Sequence, residues 1–407
     1  MKEFFKVRNL EEVISCTGEF SPVGTEEILL EDALGRILGA DVVSNMDLPD
    51  FPRSTMDGYA VFAQATFGAS EANPAFLTLA GSVAMGEIPS FSISRLETAK
   101  IFTGGMLPKG ADAVVMVEHI QTVDDSAIEV YRSVAPGQNM IMVGEDFKKD
   151  EVVLKKGEKI RPQELGLLAA MGMGRITVFK KPVVGIISTG DEIVSIRENP
   201  GPGQLRDINS HTLSALAAAS GAVPNIYGIV KDDFHDLLRK CERALAESDM
   251  VLISGGSSVG ARDFTISVLS SLAEASILVH GISISPGKPT ILAKVLGKPF
   301  FGLPGHVVSA MVVFDVVVRP FLERISGRIP CTRWKIPAVL DRNIASAQGR
   351  TDFIRVRLSR TEGMARAHPV LGKSGLIRTM VKADGLIEID ANTEGLDKGA
   401  VVDVILV

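Results

Sequence analysis

Two acidic side chains follow an apolar run near the middle of the chain. The segment VVGIISTGDEIV places Thr189, Gly190, Asp191 and Glu192 at the end of this strand-like run. Open α/β sheets bind ligands at the edge where their strands end. Two carboxylates at that edge could hold hydrated Mg²⁺ against the phosphates of a ligand. An acidic turn that only closes the strand is the alternative interpretation.

A glycine-rich loop joins a second apolar run to a helix. The run MVLIS leads into SGGSSVG, and we expect the helix to begin near Asp263. Glycine lets the backbone approach a ligand closely, and successive N–H groups at a helix start can hold phosphate without a cationic side chain. The loop therefore predicts a cradle for a pyrophosphate-bearing ligand, with a plain tight turn as the alternative. The candidate residues are Ser254, Gly255, Gly256, Ser257, Ser258 and Gly260.

Further carboxylates lie beside neighbouring loops. Asp232 and Asp233 precede the helical segment FHDLLRKCERALAE, and Asp263 follows the glycine-rich loop. Either of the first two could face a ligand, although Asp233 could instead cap the helix that follows it. The sequence alone leaves the choice between Asp232 and Asp233 open.

Two proline-glycine turns carry candidate anion-binding groups. SPGKPTI contains Lys288, and FGLPGHVVSA contains Pro304, His306 and Ser309 ahead of a helical run. Lys288 and the backbone amides near Ser309 could receive an oxyanion. A lysine that is only solvated is the alternative. His306 is interpreted as a polar turn residue, because the 6 histidines show no metal-ligand spacing.

Two motifs of the first third carry no chemistry by spacing alone. RSTMDGYAV contains Asp57 and Gly58 between strand-like pieces, which predicts a tight hairpin turn. IFTGGMLPKGADAVV contains Thr103 in a glycine-rich turn that leads into an apolar strand. Both motifs are therefore interpreted first as turns.

Three successive regions, each with its own pattern of apolar residues, must position these side chains. From about Asn45 to Gly144, short apolar runs between glycines and prolines predict mostly β structure. RPQELGLLAAMGMG then predicts a connecting helix with Pro162 in its first turn. From Lys181 to about Gly327, strands alternate with helices, which predicts a parallel sheet with right-handed crossovers. After Pro330 the chain returns to short β pieces.

The helices of the alternating region carry their own signals. NSHTLSALAAASGA predicts a helix with an Asn or Ser cap and a Gly stop. FHDLLRKCERALAE has one apolar stripe at helical spacing. The run from Val307 to Val318 is too short to span a bilayer and carries Asp315, so we expect a buried helix.

The composition is that of a folded globular protein. A length of 407 residues predicts roughly two to four domains, and 46% hydrophobic residues allow sizeable cores. The net charge of −6 argues against nucleic-acid binding through a general positive field. Cys16, Cys241 and Cys331 are far apart, which fits a reducing compartment. The charged start MKEFFKVRNLEEV lacks the apolar core of a signal peptide, so we expect a cytoplasmic protein without a membrane segment.

Seven motifs together resemble one family. RSTMDGYAV, FTGGMLPKGADAVVMVE, GQNMIMVGED, ISTGDEI, SGGSSVG, SPGKPTI and FGLPGHVVSA occur in the order found in molybdopterin molybdenumtransferases, the MoeA/gephyrin E-domain family. The resemblance covers nearly the whole chain. It implies an α/β multidomain fold, with a central parallel-sheet molybdopterin-binding domain, two β-rich domains and an elongated connecting domain.

The resemblance also implies a domain plan. The expected parts are an N-terminal piece at 1–20 packing on the 175–327 or the connecting domain, a connecting domain at 21–45 and 145–174, a β-rich domain carrying DGYA at 46–144, a molybdopterin-binding domain at 175–327 and a C-terminal β domain at 328–407. Relatives form homodimers in which the pterin-binding domain of one subunit faces the DGYA region of the other. A composite active site is therefore expected.

The implied reaction inserts molybdate, or tungstate, into adenylylated molybdopterin, with Mg²⁺-dependent release of AMP. A molybdopterin adenylyltransferase is the expected upstream donor. Positions matching the family's catalytic, ligand-binding or Mg²⁺-binding residues are Asp57, Thr103, Glu192, Asp232 and Asp263, of which Asp57, Glu192 and Asp263 form the expected metal set. The molybdate-facing set is Lys288, Ser309, Arg355 and Ser374, with Pro304 among the other cofactor-binding positions.

The chain departs from the family at two motifs. Many relatives read KPGKP and GLPGNP where this chain has Ser285 for the first lysine and His306 with Val307. One cationic contact is missing, and His280 or His306 could compensate for it. The rival interpretations are a molybdopterin adenylyltransferase or related nucleotide pyrophosphatase, disfavoured by the DGYA region, and a gephyrin-like scaffold, disfavoured because the chain has no long disordered linker.

Overall fold

The structure, a computed structural model, describes residues 7–255, 259–330, 333–361 and 363–407, with no side-chain description for 259–263 and 361. The chain forms two compact units. The first unit comprises Met1–Ala40, Lys156–Gly166 and Gly174–Val407, and the second comprises Asp41–Lys155 and Leu167–Met173. Within the described residues, no helix is both long enough and apolar enough to cross a membrane.

The second unit is built on a mixed six-stranded sheet. Its strands, in spatial order, are Ala113–Met116, Gly58–Val61, Glu97–Ile101, Ala75–Val83, Ala127–Val130 and Ile120–Asp124. All neighbours are antiparallel except Glu97–Ile101 and Ala75–Val83. Two short antiparallel pairs complete the unit, Arg53–Ser54 with Met140–Ile141 and Val42–Val43 with Val152–Leu154. The predicted β character of this region is confirmed.

The hairpin predicted at Asp57 and Gly58 is wrong. Gly58–Val61 pairs with Glu97–Ile101 and Ala113–Met116, and not with the short strand that precedes Asp57. Gly58 is needed for a different reason, because a Cβ there would overlap the carbonyl oxygen of Val115 on the neighbouring strand. The glycine therefore permits close strand packing at the end of the sheet where Asp57 lies.

The first unit contains a six-stranded sheet that is parallel over four strands. The spatial order is Val223–Val230, Val183–Thr189, Met250–Ser254, Lys298–Leu303, Ile291–Val295 and Ser276–His280. The first four are parallel and the last two run antiparallel to their neighbours. The predicted parallel sheet is thus confirmed for its central strands, and the tight turn at Leu296 and Gly297 explains the antiparallel edge.

Helices on this sheet follow the apolar patterns of the sequence. They are Asn209–Ala219, Phe234–Glu247, Val259–Ser271, Val307–Val313 and Arg319–Ile325, with a π-helical turn at Phe314–Val318 between the last two. The expected buried helix is confirmed, because Val307, Val308, Val312, Val317 and Val318 are all buried. The helix after the glycine-rich loop begins at Val259, earlier than the expected start near Asp263.

The predicted cap of Asn209–Ala219 is wrong, and its Gly stop is right. Ile208 occupies the cap position and makes no side-chain cap bond. The buried Asp207 accepts the N–H of Ser210 at 3.1 Å instead, while the Asn209 amide points elsewhere. Gly221 ends the helix with a positive φ of 89°.

A closed sheet forms the C-terminal part of the first unit. Its strands, in order, are Thr351–Thr361, Met364–Pro369, Lys335–Leu340, Val401–Leu406 and Gly385–Ile389, and the last pairs back with the first. The strand Ile284–Ser285 adds to it by parallel pairing with Thr351 and Asp352. The predicted return to β structure is confirmed, and the SPGKP turn is tied directly to this sheet.

The remaining elements are short. Thr25–Leu29 pairs with Arg175–Phe179, Ile193–Val194 with Leu205–Arg206, and Ile344–Ala345 with Gly395–Leu396. The short helices are Leu10–Ser15 and Arg378–Val381, 3₁₀ turns lie at Cys16–Glu19, Leu30–Asp32, Ala63–Thr66 and Val117–His119, and the expected connecting helix spans Pro162–Ala170.

Candidate functional site

Parallel register brings the ends of four strands to one edge of the α/β sheet. Ser188 lies beside Ser254, Ser254 beside Leu303, and Thr189 beside Val230. A cavity of about 300 Å³, here called the strand-edge cavity, opens there. Its lining includes Ser188, Thr189, Glu192, Arg206, Asp207, Asn209, Ser254, Gly255, Gly305, His306 and Gly375. The edge expected to bind ligand therefore carries a pocket of the size ligands use.

Gly255 lets two strand ends approach each other closely. Its φ is +130°, which disfavours residues with a side chain, and a Cβ there would overlap the carbonyl oxygen of Thr189 and lie 2.6 Å from its Oγ1. Gly190 also has a positive φ, and a Cβ on it would lie 2.5 Å from Oε2 of Glu192. Both glycines are thus required by the local backbone, and Glu192 folds back over the turn.

Three carboxylates gather on the adjoining loops. Burial raises the pKa of Asp232, and the negative charges of Asp191 and Glu192 raise it further. The backbone N–H of Asp232 donates to Asp191 Oδ1 at 3.2 Å, and the Lys231 ammonium donates to the Asp191 carbonyl oxygen at 2.7 Å. The protein therefore neutralises the negative charge around Asp232 only in part.

The structure separates the roles of Asp232 and Asp233. The Asp233 side chain accepts the N–H of Asp236 at 2.8 Å and caps the helix Phe234–Glu247. The alternative of a helix cap is thus confirmed for Asp233. Asp232 is left as the carboxylate available to a ligand or cation.

The donor chemistry here fits Mg²⁺ only in part. Carboxylate oxygens are the ligands that this hard cation prefers, and the raised pKa of Asp232 indicates a field that a cation would relieve. Within the described ranges, however, no three His, Cys, Asp or Glu side chains lie close enough to form a metal site by themselves. A cation at this edge would need additional oxygens from water or from a phosphate ligand.

A second cavity, of about 730 Å³, adjoins the proline-glycine turns. We call it the Lys288 cavity, and its lining includes Ser283, Ser285, Gly287, Lys288, Pro304, His306, Ser309, Gln348, Arg350 and Ser374. No carboxylate is among its described lining residues. Lys288 and Arg350 give it a positive character, which suits an anion.

Local backbone features assemble this cavity. Gly287 has a φ of +123°, and a Cβ there would overlap the Val313 side chain, so the SPGKP turn packs tightly on the buried helix. Pairing of Ser285 with Asp352 then brings the Arg350 turn alongside Lys288. The Arg350 guanidinium pairs with the buried Asp352, with Nε 2.9 Å from Oδ1 and Nη2 donating to Oδ2 at 3.4 Å, and this pairing holds it in place.

His306 lines both cavities. Its Nδ1 lies 2.8 Å from Ser374 Oγ, and the backbone N–H of Val308 donates to the Ser374 carbonyl oxygen at 3.0 Å. The departure from the family at position 306 therefore falls on the wall that the two cavities share. His280, the other candidate for compensation, lines neither.

Arg355 stands apart from the other predicted molybdate-facing residues. It is outside the lining of the Lys288 cavity, whereas Lys288, Ser309 and Ser374 line it. Its Nη2 donates to the Gly372 carbonyl oxygen at 2.8 Å, while Nε and Nη1 are buried without a partner among the described residues. Burial lowers the pKa of this guanidinium. Its unpaired donors keep Arg355 a candidate for anion binding.

Asp57 and Thr103 lie in the second unit and contact each other. The Asp57 carboxylate accepts the backbone N–H of Thr103 at 2.7 Å and its hydroxyl at 2.8 Å. These bonds, the backbone bond first, lower the pKa of Asp57 and keep it ionised. The two motifs interpreted as turns therefore form one exposed acidic site.

The structure describes the glycine-rich loop only in part. Gly256, Ser257 and Ser258 lie outside the described residues, and so do the side chains at 259–263, a stretch that includes Gly260 and Asp263. The predicted phosphate cradle and the roles of these residues therefore stay predictions.

Sequence reasoning missed Ser188, Asn209 and Arg350. Ser188 and Ser254 end two buried strands whose other inward positions are apolar, so the shared pattern IIS and LIS was the available signal. Asn209 resembled an ordinary helix cap, and Arg350 enters the cavity only through pairing of Ile284–Ser285 with the C-terminal sheet. Neither contact has a local sequence signature.

The parallel sheet with a cavity at its strand ends defines an α/β ligand-binding protein. Three protein-family models match the chain: "MoeA N-terminal region (domain I and II)" at residues 8–172, "Probable molybdopterin binding domain" at residues 185–324 and "MoeA C-terminal region (domain IV)" at residues 337–407. The chain belongs to the MoeA family. The resemblance inferred from the seven motifs is thus confirmed.

Individual relatives match along nearly their whole length. A Methanocaldococcus jannaschii protein named for molybdopterin biosynthesis is 41% identical over 391 residues, covering 94% of this chain and 92% of its own. The molybdopterin molybdenumtransferase of Bacillus subtilis is 31% identical over 407 residues, covering 98% and 94%. The crystal structure of a Pyrococcus horikoshii MoeA protein shares 33% identity and a TM-score of 0.86, covering 99% and 100% of the two chains.

Proposed function

We propose that this chain is a molybdopterin molybdenumtransferase, which inserts molybdate into adenylylated molybdopterin and releases AMP. The observation that carries the proposal is the Lys288 cavity. It holds Lys288 and Arg350, has no carboxylate among the lining residues that the structure describes, and meets the strand-edge cavity at His306. A substrate that joins a ring system to phosphates, together with a separate metal oxyanion, requires this kind of paired site. The names of the relatives support the same reaction.

The Lys288 cavity is assigned to the oxyanion. The Lys288 ammonium and the Arg350 guanidinium supply positive charge, and the Ser309 and Ser374 hydroxyls supply hydrogen-bond donors. The two dithiolene thiols form two Mo–S bonds, and their two protons pass to one molybdate oxygen, which leaves as water. Negative charge therefore builds on that oxygen while its bond to the metal breaks. Preorganised donors stabilise such charge better than water does. Molybdate and tungstate have the same charge and similar shape, so both fit these groups.

The carboxylates at the strand edge are assigned to cleavage of the phosphoanhydride. We propose that Glu192 and Asp232, together with Asp263, hold Mg²⁺ through bound water. When bound, the ion would neutralise the phosphate oxygens as the P–O bond to AMP breaks. Burial raises the pKa of Asp232, and the neighbouring charges of Asp191 and Glu192 raise it further, which supports this assignment. The loop at 254–260 would hold phosphate through its backbone amides.

Asp57 and Thr103 are assigned to the same reaction through a homodimer. The family resemblance places the DGYA region of one subunit against the pterin-binding domain of the other. Apolar side chains around the Asp57 site are unusually exposed, Met56 by 40%, Phe102 by 39% and Met85 by 60%, which supports a surface that meets a second subunit. We propose that Asp57, held ionised by Thr103, completes the metal site of the partner.

The remaining assignments concern the cellular setting. We propose that a molybdopterin adenylyltransferase supplies the adenylylated substrate, since AMP must be attached before it can be released. Cys16 and Cys241 are both free and buried, which supports a cytoplasmic, reducing location. We also propose a division into five parts, at 1–20, 21–45 with 145–174, 46–144, 175–327 and 328–407.

The test is molybdate-dependent release of AMP by the full-length protein. Adenylylated molybdopterin and Mg²⁺ are incubated with the protein, with molybdate or tungstate added or omitted, and AMP is measured by chromatography. We expect AMP release only with an oxyanion present, and about 100- to 1,000-fold slower release by Lys288→Ala, the usual cost of one aimed charge-stabilising donor. Lys382→Ala is the matched control, because Lys382 is exposed and lines neither cavity.

Two outcomes would contradict the proposal. Folded, dimeric protein that releases no AMP under these conditions is not a molybdenumtransferase. In a second assay with ATP and molybdopterin that is not adenylylated, consumption of ATP with release of pyrophosphate would instead identify a molybdopterin adenylyltransferase.

A further inference from the structure

Two adjoining cavities lie apart from the strand-edge cavity and the Lys288 cavity. One, of about 780 Å³, is lined in part by Trp334 and is called the Trp334 cavity; the other, of about 430 Å³, is lined in part by Lys180 and is called the Lys180 cavity. They share Lys159 and Arg328, and none of their described lining residues lines the other two cavities. All of these residues belong to the first compact unit.

The Lys180 cavity lies at the amino end of the parallel strands. Lys180 and Lys181 line it just before the strand Val183–Thr189, and Gly221 lines it just before Val223–Val230. The strand-edge cavity lies where the same strands end. The Lys180 cavity is therefore at the opposite edge of the sheet from the proposed reaction.

Positive charge dominates the Lys180 cavity, although the chain as a whole is acidic. Its described lining holds 6 basic side chains and 1 acidic side chain, whereas the whole chain has 43 basic and 49 acidic residues. The arginines that line it each pair with a carboxylate. Its lysines, in contrast, form no ion pair with a described residue, and they are Lys159, Lys180 and Lys181.

The nearby helix end does not balance this charge. The helix Asn209–Ala219 ends at the cavity, where Ala218 and Ala219 are part of the lining. A helix C-terminus carries a partial charge of only about −0.5, which can favour one nearby ammonium but not three. The three lysines are exposed and have flexible stems, so they can turn toward a bound ligand. An anion with several charges is the ligand that suits them.

The Trp334 cavity adds an aromatic surface. Trp334 is the single tryptophan of the chain and is 89% exposed, and Ile329 in the same lining is 45% exposed. Tryptophan is usually mostly buried, so an indole left in solvent at the wall of a cavity indicates a surface for a ligand. An indole face stacks well on a nucleobase.

Backbone contacts hold the two cavities side by side. Lys159 pairs with Ile37 in an isolated β-bridge, and the N–H of Ile329 donates to the carbonyl oxygen of Gly157 at 2.9 Å. Gly157 has a φ of +90°, and a Cβ there would lie 2.7 Å from the Ile329 side chain. Because Lys159 and Arg328 line both cavities, a ligand of nucleotide length can extend from the indole to the lysines.

We propose that the two cavities form one binding site for a nucleoside polyphosphate. The base stacks on the Trp334 indole, and the phosphates lie among Lys159, Lys180 and Lys181. A flat ring joined to a chain of negative charges matches both features of the site. The concave walls suit a small molecule better than the flat surface of a protein partner. The site binds its nucleotide without reaction and is separate from the release of AMP.

The single tryptophan makes this site directly observable. Full-length protein is titrated with ATP, with adenosine and with inorganic tripolyphosphate, and the indole fluorescence is followed. We expect saturable quenching by ATP, quenching by adenosine only at much higher concentration, and displacement of ATP by tripolyphosphate. Added NaCl should weaken ATP binding, because salt screens exposed ammonium groups. N-acetyltryptophanamide, titrated in the same way, corrects for collisional quenching and for absorption by the base.

Matched variants separate the charge from the ring. Lys180→Ala combined with Lys181→Ala should weaken ATP binding by about 2- to 5-fold for each lysine removed. Lys148→Ala combined with Lys149→Ala is the control, since this adjacent pair is also exposed and lines neither cavity. Trp334→Ala, followed by calorimetry, should weaken ATP binding by about 5- to 100-fold. Its binding of tripolyphosphate and its Tm should be unchanged, because the indole is exposed.

Three results would overturn the proposal. The first is the absence of saturable quenching by ATP. The second is tripolyphosphate binding as tight as ATP binding, which would mean that only charge is recognised. The third is an equal loss of ATP binding in the two lysine double variants, which would mean a general effect of net charge. None of these results depends on AMP release, so failure of the proposed function would leave the nucleotide site standing.

Discussion

Replacing Gly255 by alanine tests the strand-edge geometry most directly. The residue has a φ of +130°, and an added Cβ would overlap the Thr189 carbonyl oxygen. A side chain in such a backbone conformation costs about 1–3 kcal/mol, and forcing a packed neighbour to move costs about 1–3 kcal/mol more. We therefore expect Gly255→Ala to lower the free energy of unfolding by about 4 kcal/mol, the middle of the combined range.

Two other glycines isolate the contribution of the contact. Gly221 also has a positive φ, of +89°, but a Cβ there would have no atom within 4 Å, so Gly221→Ala should cost only about 1–2 kcal/mol. Gly166 lies in the helix Pro162–Ala170 with open space around it, so Gly166→Ala should stabilise by about 0.5–1 kcal/mol. All three variants add the same Cβ methyl group. They differ in the backbone strain at the substituted residue and in whether the new group meets a neighbouring atom.

The assay is scanning calorimetry with parallel measurement of AMP release. At about 2–4 °C per kcal/mol, a loss of about 4 kcal/mol in Gly255→Ala should lower the Tm by about 8–16 °C, and a loss of about 1–2 kcal/mol in Gly221→Ala should lower it by about 2–8 °C. AMP release should fall only in Gly255→Ala, because the displaced Thr189 and Ser254 line the cavity. Equal Tm losses for the two variants would refute the reasoning from close approach.

Further predictions concern charge and accessibility. Asp232→Asn should raise the Tm at pH 7, because a raised pKa means that the ionised carboxylate destabilises the folded protein. The gain in Tm should vanish below pH 3.8, the ordinary pKa of the group, where Asp232 is protonated in both the folded and the unfolded chain. A gain that persists below this pH would contradict an origin in the ionised carboxylate. Thr103→Val should be less stable than the parent above pH 3.8, where the lowered pKa of Asp57 stabilises the fold, and the difference should shrink as the pH falls through the folded pKa. His306→Asn should change KM for molybdate and leave the Tm nearly unchanged, since the side chain is exposed and bonds only Ser374; an equal effect on both would indicate a structural role. Cys241, whose pKa burial raises to about 12, should resist a thiolate reagent at pH 8 in native protein and react in urea, as peptide mapping would detect.

Much of the fold follows from local patterns. The runs VVGIIS and MVLIS predict buried parallel strands, and the two are parallel neighbours inside the sheet, neither of them at its edge. The helices Phe234–Glu247 and Val307–Val313 follow from an apolar stripe and from an apolar run of limited length. Such patterns show which side chains are buried, and the spacing of buried side chains differs between helices and strands. Whether each segment forms a helix or a strand was therefore predictable.

The site was less predictable, because its contacts join distant segments. Asp57 and Thr103 each resemble a turn residue, and only the sheet of the second unit brings the carboxylate to the threonine. Asp233 caps a helix and Asp232 does not. The sequence was compatible with a cap at Asp233 but did not require one. The domain boundaries and the roles of the site residues stay predictions, because local sequence patterns do not encode contacts between distant segments or with a ligand.

The strand Ile284–Ser285 has a consequence for how the binding surface arises. This segment of the α/β region pairs with Thr351 and Asp352 of the C-terminal sheet. The α/β region therefore forms one wall of the Lys288 cavity, and the C-terminal region forms another. A chain truncated before residue 337 would keep Ser188, Asn209 and Ser254 but lose Arg350 and Ser374. Loss of the C-terminal sheet would therefore remove side chains from the Lys288 cavity while the strand-edge cavity kept its residues on the parallel sheet.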